Sequence, residues 1–256
     1  MALPISAGDR SSVELAQVEL EPLSASGRVR WAVDHFGSSV VLLSSMQRTS
    51  LVLMHMFHEL GLASEIVFVD TGYHFAATLR LRDLVMRQWQ LNLVTLYPEL
   101  TLEEQETRFG KKLFAYVDGQ PECCRLRKEE PLLRYLASKA TPVLVNGLRR
   151  EEGGRRANLR PFAADPRTKG YQLSPIYDWS RSEVEAYLTG HGLPDHPLYA
   201  QGYASIGCYP CTTPIEPGED ERAGRWRHLR VQGSDAGAGS EAPHYCGINF
   251  SDSNGA

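Results

Sequence analysis

Lysine is scarce in this 256-residue chain: of 27 basic residues only five are lysine, and the other 22 are arginine. With a formal charge of −4, the chain lacks the basic excess that extended nucleic-acid binding needs. No apolar run reaches 18 residues, which leaves no candidate membrane span. The first residues have neither the basic nor the hydrophobic region of a secretion signal, so a cytoplasmic, reducing setting is expected. Glycine is missing from Ser44-Ser-Met-Gln-Arg-Thr-Ser50, which is therefore neither a P-loop nor a dinucleotide fingerprint. Cysteine is sparse as well, at five residues, but its placement is informative.

Apolar segments alternate in period and length along the chain. Val40–Leu43, Ile66–Val69, Asn92–Leu96 and Pro142–Val145 read as short buried strands. Leu51–Leu60, His74–Trp89, Pro121–Ser138 and Ser180–Gly190 read as helices. This order predicts an α/β fold with an open, mostly parallel sheet and flanking helices. From Leu193 the sequence turns rich in glycine, proline and aromatics, which predicts an irregular C-terminal arm. The expected division is a lead-in over 1–27, loose or made of short helices, a main domain over 28–230, and a flexible tail over 231–256. Gly233–Ser240 is the linker in that tail. In such sheets ligands sit beyond the C-terminal strand ends, so the loops starting at Ser44, Asp70 and Asn146 converge on one expected cleft.

The cysteines form two close pairs and one single: Cys123-Cys124, Cys208-Tyr-Pro-Cys211, and Cys246. Four thiolates suit a zinc ion or an iron–sulfur centre, and a CxxC can equally be a redox dithiol. Spacing alone leaves all three readings open. Lys128 lies one helical turn beyond Cys124, where its ammonium can offset thiolate charge or simply face water. Cys246 follows a mobile linker, which suits a nucleophile that reaches into a site and swings out again. Arg149, Arg150, Arg222 and Arg225 sit in expected loops and can clamp a doubly anionic ligand. They can also pair with Glu151, Glu152, Glu219 and Asp220.

Over residues 35–250 the motifs resemble the assimilatory adenylylsulfate reductase family. The resemblance runs through Asp70-Thr-Gly-Tyr-His-Phe75, Cys123-Cys-Arg-Leu-Arg-Lys128, Glu130-Pro-Leu132 and Gly147-Leu-Arg-Arg150. It continues through the stretch from His196 to Cys208, Pro210-Cys-Thr212, Gly218-Glu-Asp220, Arg222-Ala-Gly-Arg-Trp226 and Cys246-Gly-Ile248.

The resemblance implies a fold related to the ATP-pyrophosphatase type. It also implies one [4Fe-4S] cluster on Cys123, Cys124, Cys208 and Cys211. Lys128 would connect cluster and substrate, with Arg149, Arg222 and Arg225 on the phosphosulfate and Ser44, Ser45 and Thr71 assisting. Cys246 would be the nucleophile that takes the sulfuryl group from adenylylsulfate, leaving AMP. A separate thioredoxin or similar dithiol protein would be the reductant, and the chain would form a homo-oligomer. Tyr245 and Asn249 depart from the family's Glu and His around that cysteine, Glu151-Glu-Gly153 replaces a common Asp-Gln-Ser, and Met46–Thr49 diverges. Two alternatives remain at this level: a nucleotide-dependent sulfur or adenylyl transferase, and a cluster-binding regulatory protein.

Overall fold

A computed structural model of the protein describes residues 10–230 and Ile248. Its centre is β1 (Val40–Ser44), flanked by β2 (Glu65–Val69) on one side and β4 (Val143–Val145) on the other. β3 (Leu93–Leu96) closes one edge; β6 (Gly170–Leu173) and β5 (Phe162–Asp165) complete the other, giving the order β3-β2-β1-β4-β6-β5. All neighbours run parallel except the β5–β6 hairpin. The α/β, mostly parallel architecture expected from the sequence is therefore present.

Alternation along β1 builds two cores. Val40 and Leu42 point into a large cluster with α1 (Arg10–Leu20), α2 (Ala25–Phe36) and α3 (Arg48–Glu59). Val41 and Leu43 point the other way, onto Leu132 and Leu136 of α7 (Glu130–Leu136). Burial on both faces explains why β1 is a continuous apolar run. For the same reason α3 buries eight consecutive residues, Ser50–Phe57.

Sequence reading differs from the structure at the β5–β6 hairpin, at two further helices and within one expected helix. The hairpin β5–β6 went unassigned because Phe162–Asp165 is short and its partner begins with Gly170. α2 and α5 (Leu102–Phe109) also went unassigned. Part of the lead-in is α1, whose Ala16 and Leu20 are in the core. The helix expected over Pro121–Ser138 is interrupted: α6 (Gln120–Cys124) passes into a π-helical turn over Arg125–Glu129 before α7 resumes. Such a turn adds a residue to the helix and redirects the side chains beyond it.

α4 (Ala76–Trp89) follows β2, and α8 (Arg181–Gly190) starts from a capping box between Ser180 and Glu183. The arm beyond Leu193 is irregular but anchored. His74 bridges to Cys208, and Thr212 bridges to Arg225. His196, 1% exposed, bonds Thr78 of α4 at 2.9 Å. The 231–256 tail, apart from Ile248, lies outside the described residues, as does residue span 1–9.

Candidate functional site

Four buried thiols meet where three segments converge. Cys123 and Cys124 end α6, while Cys208 and Cys211 bracket a single 3-10 turn in the arm. Together they line one small internal void with Tyr73, Gln120, Arg127 and Lys128. The arm is held there by the Tyr209 N–H bonding to Tyr73 O at 2.8 Å and the Trp226 N–H bonding to Cys211 O at 2.9 Å. Trp226, 1% exposed, packs in the same apolar cluster as Cys123, Cys208 and Cys211 and caps this small core.

Polar groups surround the sulfurs. Gln120 Nε2 donates to Cys124 Sγ at 2.9 Å and Lys128 Nζ reaches the same sulfur at 3.5 Å. Thr71 Oγ1 lies 3.3 Å from Cys208 Sγ while accepting from the Tyr73 N–H. Burial pushes the Cys211 thiol up to about 12 and also raises Cys123; in both cases Cys208 adds to the rise and Lys128 opposes it. Desolvated thiolates therefore require a compensating positive centre, which a metal centre provides. Among the described residues no three His, Cys, Asp or Glu side chains converge on one point as ligands of a single ion would. Four thiols lining one void could hold a zinc ion or an iron–sulfur cluster.

A second, larger space opens beside the first. A cleft of about 200 Å³ lies beyond the C-terminal ends of β1, β2 and β4, where strand order reverses. Ser44, Thr71 and Asn146 from those three strand ends all line it, as the expected convergence of their loops requires. Among the described residues, seven cationic side chains reach the cleft: Arg48, Lys128, Arg149, Arg156, Arg181, Arg222 and Arg225. Three carboxylates join them: Glu152, Glu185 and Glu221. Lys128 and Cys208 line both spaces and so form a wall between void and cleft.

Arg225 is the most exceptional of these cations. It is 6% exposed and stacks on Trp226 at 4.9 Å. Its NH1 makes only long contacts, 3.4 Å to Ser205 Oγ and 3.5 Å to Ile206 O, and its Nε has no partner. No carboxylate among the described residues pairs with it. A buried guanidinium without a counterion is costly, and an anion entering the cleft removes that cost. Its place is carved by Gly207, where any Cβ would overlap the guanidinium.

Residues 39–214 match the phosphoadenosine phosphosulfate reductase domain family. The chain belongs to this family. It is 40% identical to an adenosine 5'-phosphosulfate reductase of Streptomyces coelicolor, over 85% of this chain and 89% of that protein. It is 39% identical to an adenosine 5'-phosphosulfate reductase of Mycolicibacterium smegmatis, over 86% and 91%. Among solved structures, a phosphoadenylyl-sulfate reductase from Candida auris in complex with phosphate shares the fold, with a TM-score of 0.71 at 23% identity, covering 83% of this chain and 99% of that one. The FMN adenylyltransferase of Candida glabrata shares it more distantly, with a TM-score of 0.53 at 15% identity over 86% of this chain and 71% of that one.

In this reductase-family chain the structure brings Ser44, Ser45, Thr71, Lys128, Arg149, Arg222 and Arg225 to one cleft. Their local states differ. The Ser44 hydroxyl is buried and donates to Met54 Sδ at 3.1 Å, and Ser45 Oγ is 3.0 Å from Ser50 Oγ, so both serines brace the turn after β1. Met46 in that turn has φ +57°, a left-handed conformation that disfavours a side chain. Arg149 already meets carboxylates: Glu151 at 2.7 Å, Glu221 at 3.8 Å and Glu152 at 3.9 Å. Cys246, the expected nucleophile, lies outside the described residues. Ile248, two residues later, lines the cleft and packs on the Val41–Leu43 face of the sheet.

Arg48, Arg156, Arg181 and Asn146 were not singled out as ligands from sequence. Arg48 stacks on Tyr199 at 4.0 Å and pairs with Asp195 at 2.6 Å and Glu185 at 2.7 Å. Asn146 Nδ2 is buried with no partner and belongs to the cleft lining. Its position just past β4 was the available signal; the arginines were masked by the abundance of that residue.

Proposed function

We propose that the protein reduces adenosine 5'-phosphosulfate to sulfite and AMP, taking electrons from a separate dithiol protein of the thioredoxin kind. One observation carries this reading: Lys128 and Cys208 are shared by the thiol-lined void and the arginine-rich cleft. An inorganic centre and a bound phosphosulfate would thus be immediate neighbours. The names of the relatives at 39% and 40% identity point to the same substrate.

The donor set suits a [4Fe-4S] cluster held by Cys123, Cys124, Cys208 and Cys211, with Gln120 and Thr71 donating to the sulfurs. When bound, the cluster supplies fixed charge that organises the anion site through Lys128. Arg225, Arg149 and Arg222 would meet the phosphosulfate oxygens, and Arg225 gains the counterion it lacks.

Chemistry falls to the tail. Ile248 lines the cleft, and Cys246 stands two residues before it in the sequence. The Cys246 thiolate would attack the sulfuryl sulfur, forming an S–S bond as the sulfur–oxygen bond to phosphate breaks. The electron pair leaves on AMP, whose phosphate charge the arginines stabilise. A thiolate of the dithiol partner then attacks Cys246 Sγ and expels sulfite. The partner's second thiol resolves the mixed disulfide and returns Cys246 as a thiolate. The sulfuryl sulfur has gained two electrons, and the dithiol has become a disulfide.

A transferase reading has less support, because the glycine-free turn Ser44–Ser50 braces itself with serine hydroxyls and offers no glycine-lined phosphate cradle. An anaerobic assay with a dithiol donor tests the proposal, comparing adenylylsulfate with its 3'-phosphorylated form and measuring iron and acid-labile sulfide on the same sample. Sulfite and AMP from adenylylsulfate by an iron-loaded protein are expected. Zinc in place of iron, or preference for the 3'-phosphorylated compound, would overturn it.

A further inference from the structure

The carboxylates of the cleft have no part in the chemistry above, yet they are distributed in a telling way. Glu152 bonds Arg156 and lies 3.9 Å from Arg149. Glu185 pairs with Arg48 at 2.7 Å and Arg181 at 3.0 Å. Glu221 stands between Arg149 and Arg181, 3.8 Å from each. Each carboxylate therefore links two arginines, and together they engage Arg48, Arg149, Arg156 and Arg181. Arg225 has no such partner among the described residues.

We infer that Glu152, Glu185 and Glu221 act as specificity residues, limiting the positive charge of the cleft so that it accepts an adenylyl ligand with one phosphate and rejects one bearing a second phosphate on the ribose. The inference rests on the reading of the cleft as an adenylylsulfate site. A second phosphate adds about two negative charges at neutral pH. To be held it must take an arginine from a carboxylate, or lie beside that carboxylate unpaired. Both alternatives are unfavourable in a partly enclosed cleft, where charges are poorly screened. Neutralising one carboxylate would reverse both effects at once, since it leaves two arginines with one counter-charge fewer and removes a repelling charge.

The chemistry of the set also explains why Glu151-Glu152 is tolerated after the paired arginines. Glu151 accepts from the first N–H of α8, at Arg181, and from Arg149 NH1, so it fixes Arg149 to the start of that helix. Glu152, buried deeper, is left to face Arg156.

The test uses nucleotides rather than turnover. The affinities of AMP and adenosine 3',5'-bisphosphate are measured by calorimetry for the full chain and for Glu185→Gln and Glu221→Gln. Glu185 and Glu221 are 43% and 33% exposed, so the near-isosteric amide is compatible with the fold, and AMP binding in the same titration reports an intact site. The parent chain is expected to favour AMP. Each variant is expected to gain affinity for the bisphosphate by about tenfold more than for AMP. AMP binding with an unchanged preference in both variants would overturn the selection role alone. Failure of the parent chain to bind AMP at all would overturn the nucleotide reading and this inference with it.

Discussion

Arg225 concentrates the argument at the scale of a single residue. Its guanidinium is buried, stacked on Trp226 and, among the described residues, without a carboxylate, which is what makes it the proposed contact for an anion. Arg225→Ala is expected to lower kcat/KM for adenylylsulfate by about 100-fold or more, the scale of losing a preorganised charge at a reacting anion. Gly207→Ala gives an independent check, because the new methyl group takes the guanidinium's place without touching its charge. It should reproduce much of the Arg225→Ala defect in steady-state kinetics while leaving circular dichroism unchanged. Wild-type kinetics in Gly207→Ala would show that the position of this guanidinium does not matter. Residues of this kind were only half legible in the sequence. Arg225 stood in a recognisable motif, but which arginine takes Glu219 is settled by tertiary placement, where Arg227 holds it at 2.6 Å. Nothing in the local sequence decides between those two arginines.

Elements show the same division between pattern and placement. β1, β2 and β4 were readable because buried parallel strands are unbroken apolar runs, and α8 because a capping box marks its start. The β5–β6 hairpin was not, since four-residue strands with glycine at one end carry little periodic signal. The π-helical turn after Cys124 was equally hidden, because no residue type announces one. It matters for the site: Lys128 sits within it and contacts both Cys124 and the cleft. Deleting the exposed Arg125 would convert the turn to ordinary α-helix and rotate the Cys123-Cys124 pair by about 100° relative to α7. The expected result is retained far-UV helicity with iron loading lost from the purified protein. A deletion variant carrying full iron would show that the turn is incidental.

Across the whole molecule, buried neutral histidines tie the irregular arm and α3 to the core. Burial lowers His196 to about 4 and lowers His55 and His74 as well, the last despite its contact with Val69 O at 2.9 Å. A histidine depressed in the folded state binds its proton more readily when unfolded. Stability from this source is full above the unfolded value of about 6.5 and is lost as pH falls toward the folded value. Urea midpoints should therefore drop between pH 7 and pH 5, and His196→Gln should flatten that slope while lowering stability at pH 7. An unchanged slope in the variant would remove His196 from this role. At this scale, too, the sequence located the arm's motifs but not their contacts: the His196–Thr78 bond joins residues 118 positions apart.

The most direct test of the account is the covalent state of the protein after anaerobic incubation with adenylylsulfate in the absence of any dithiol. The expected result is one SO3 group added per chain, mapped by peptide mass spectrometry to Cys246, with one AMP released and the four buried thiols unmodified. AMP release without an adduct on Cys246, or sulfite turnover by Cys246→Ser, would contradict it.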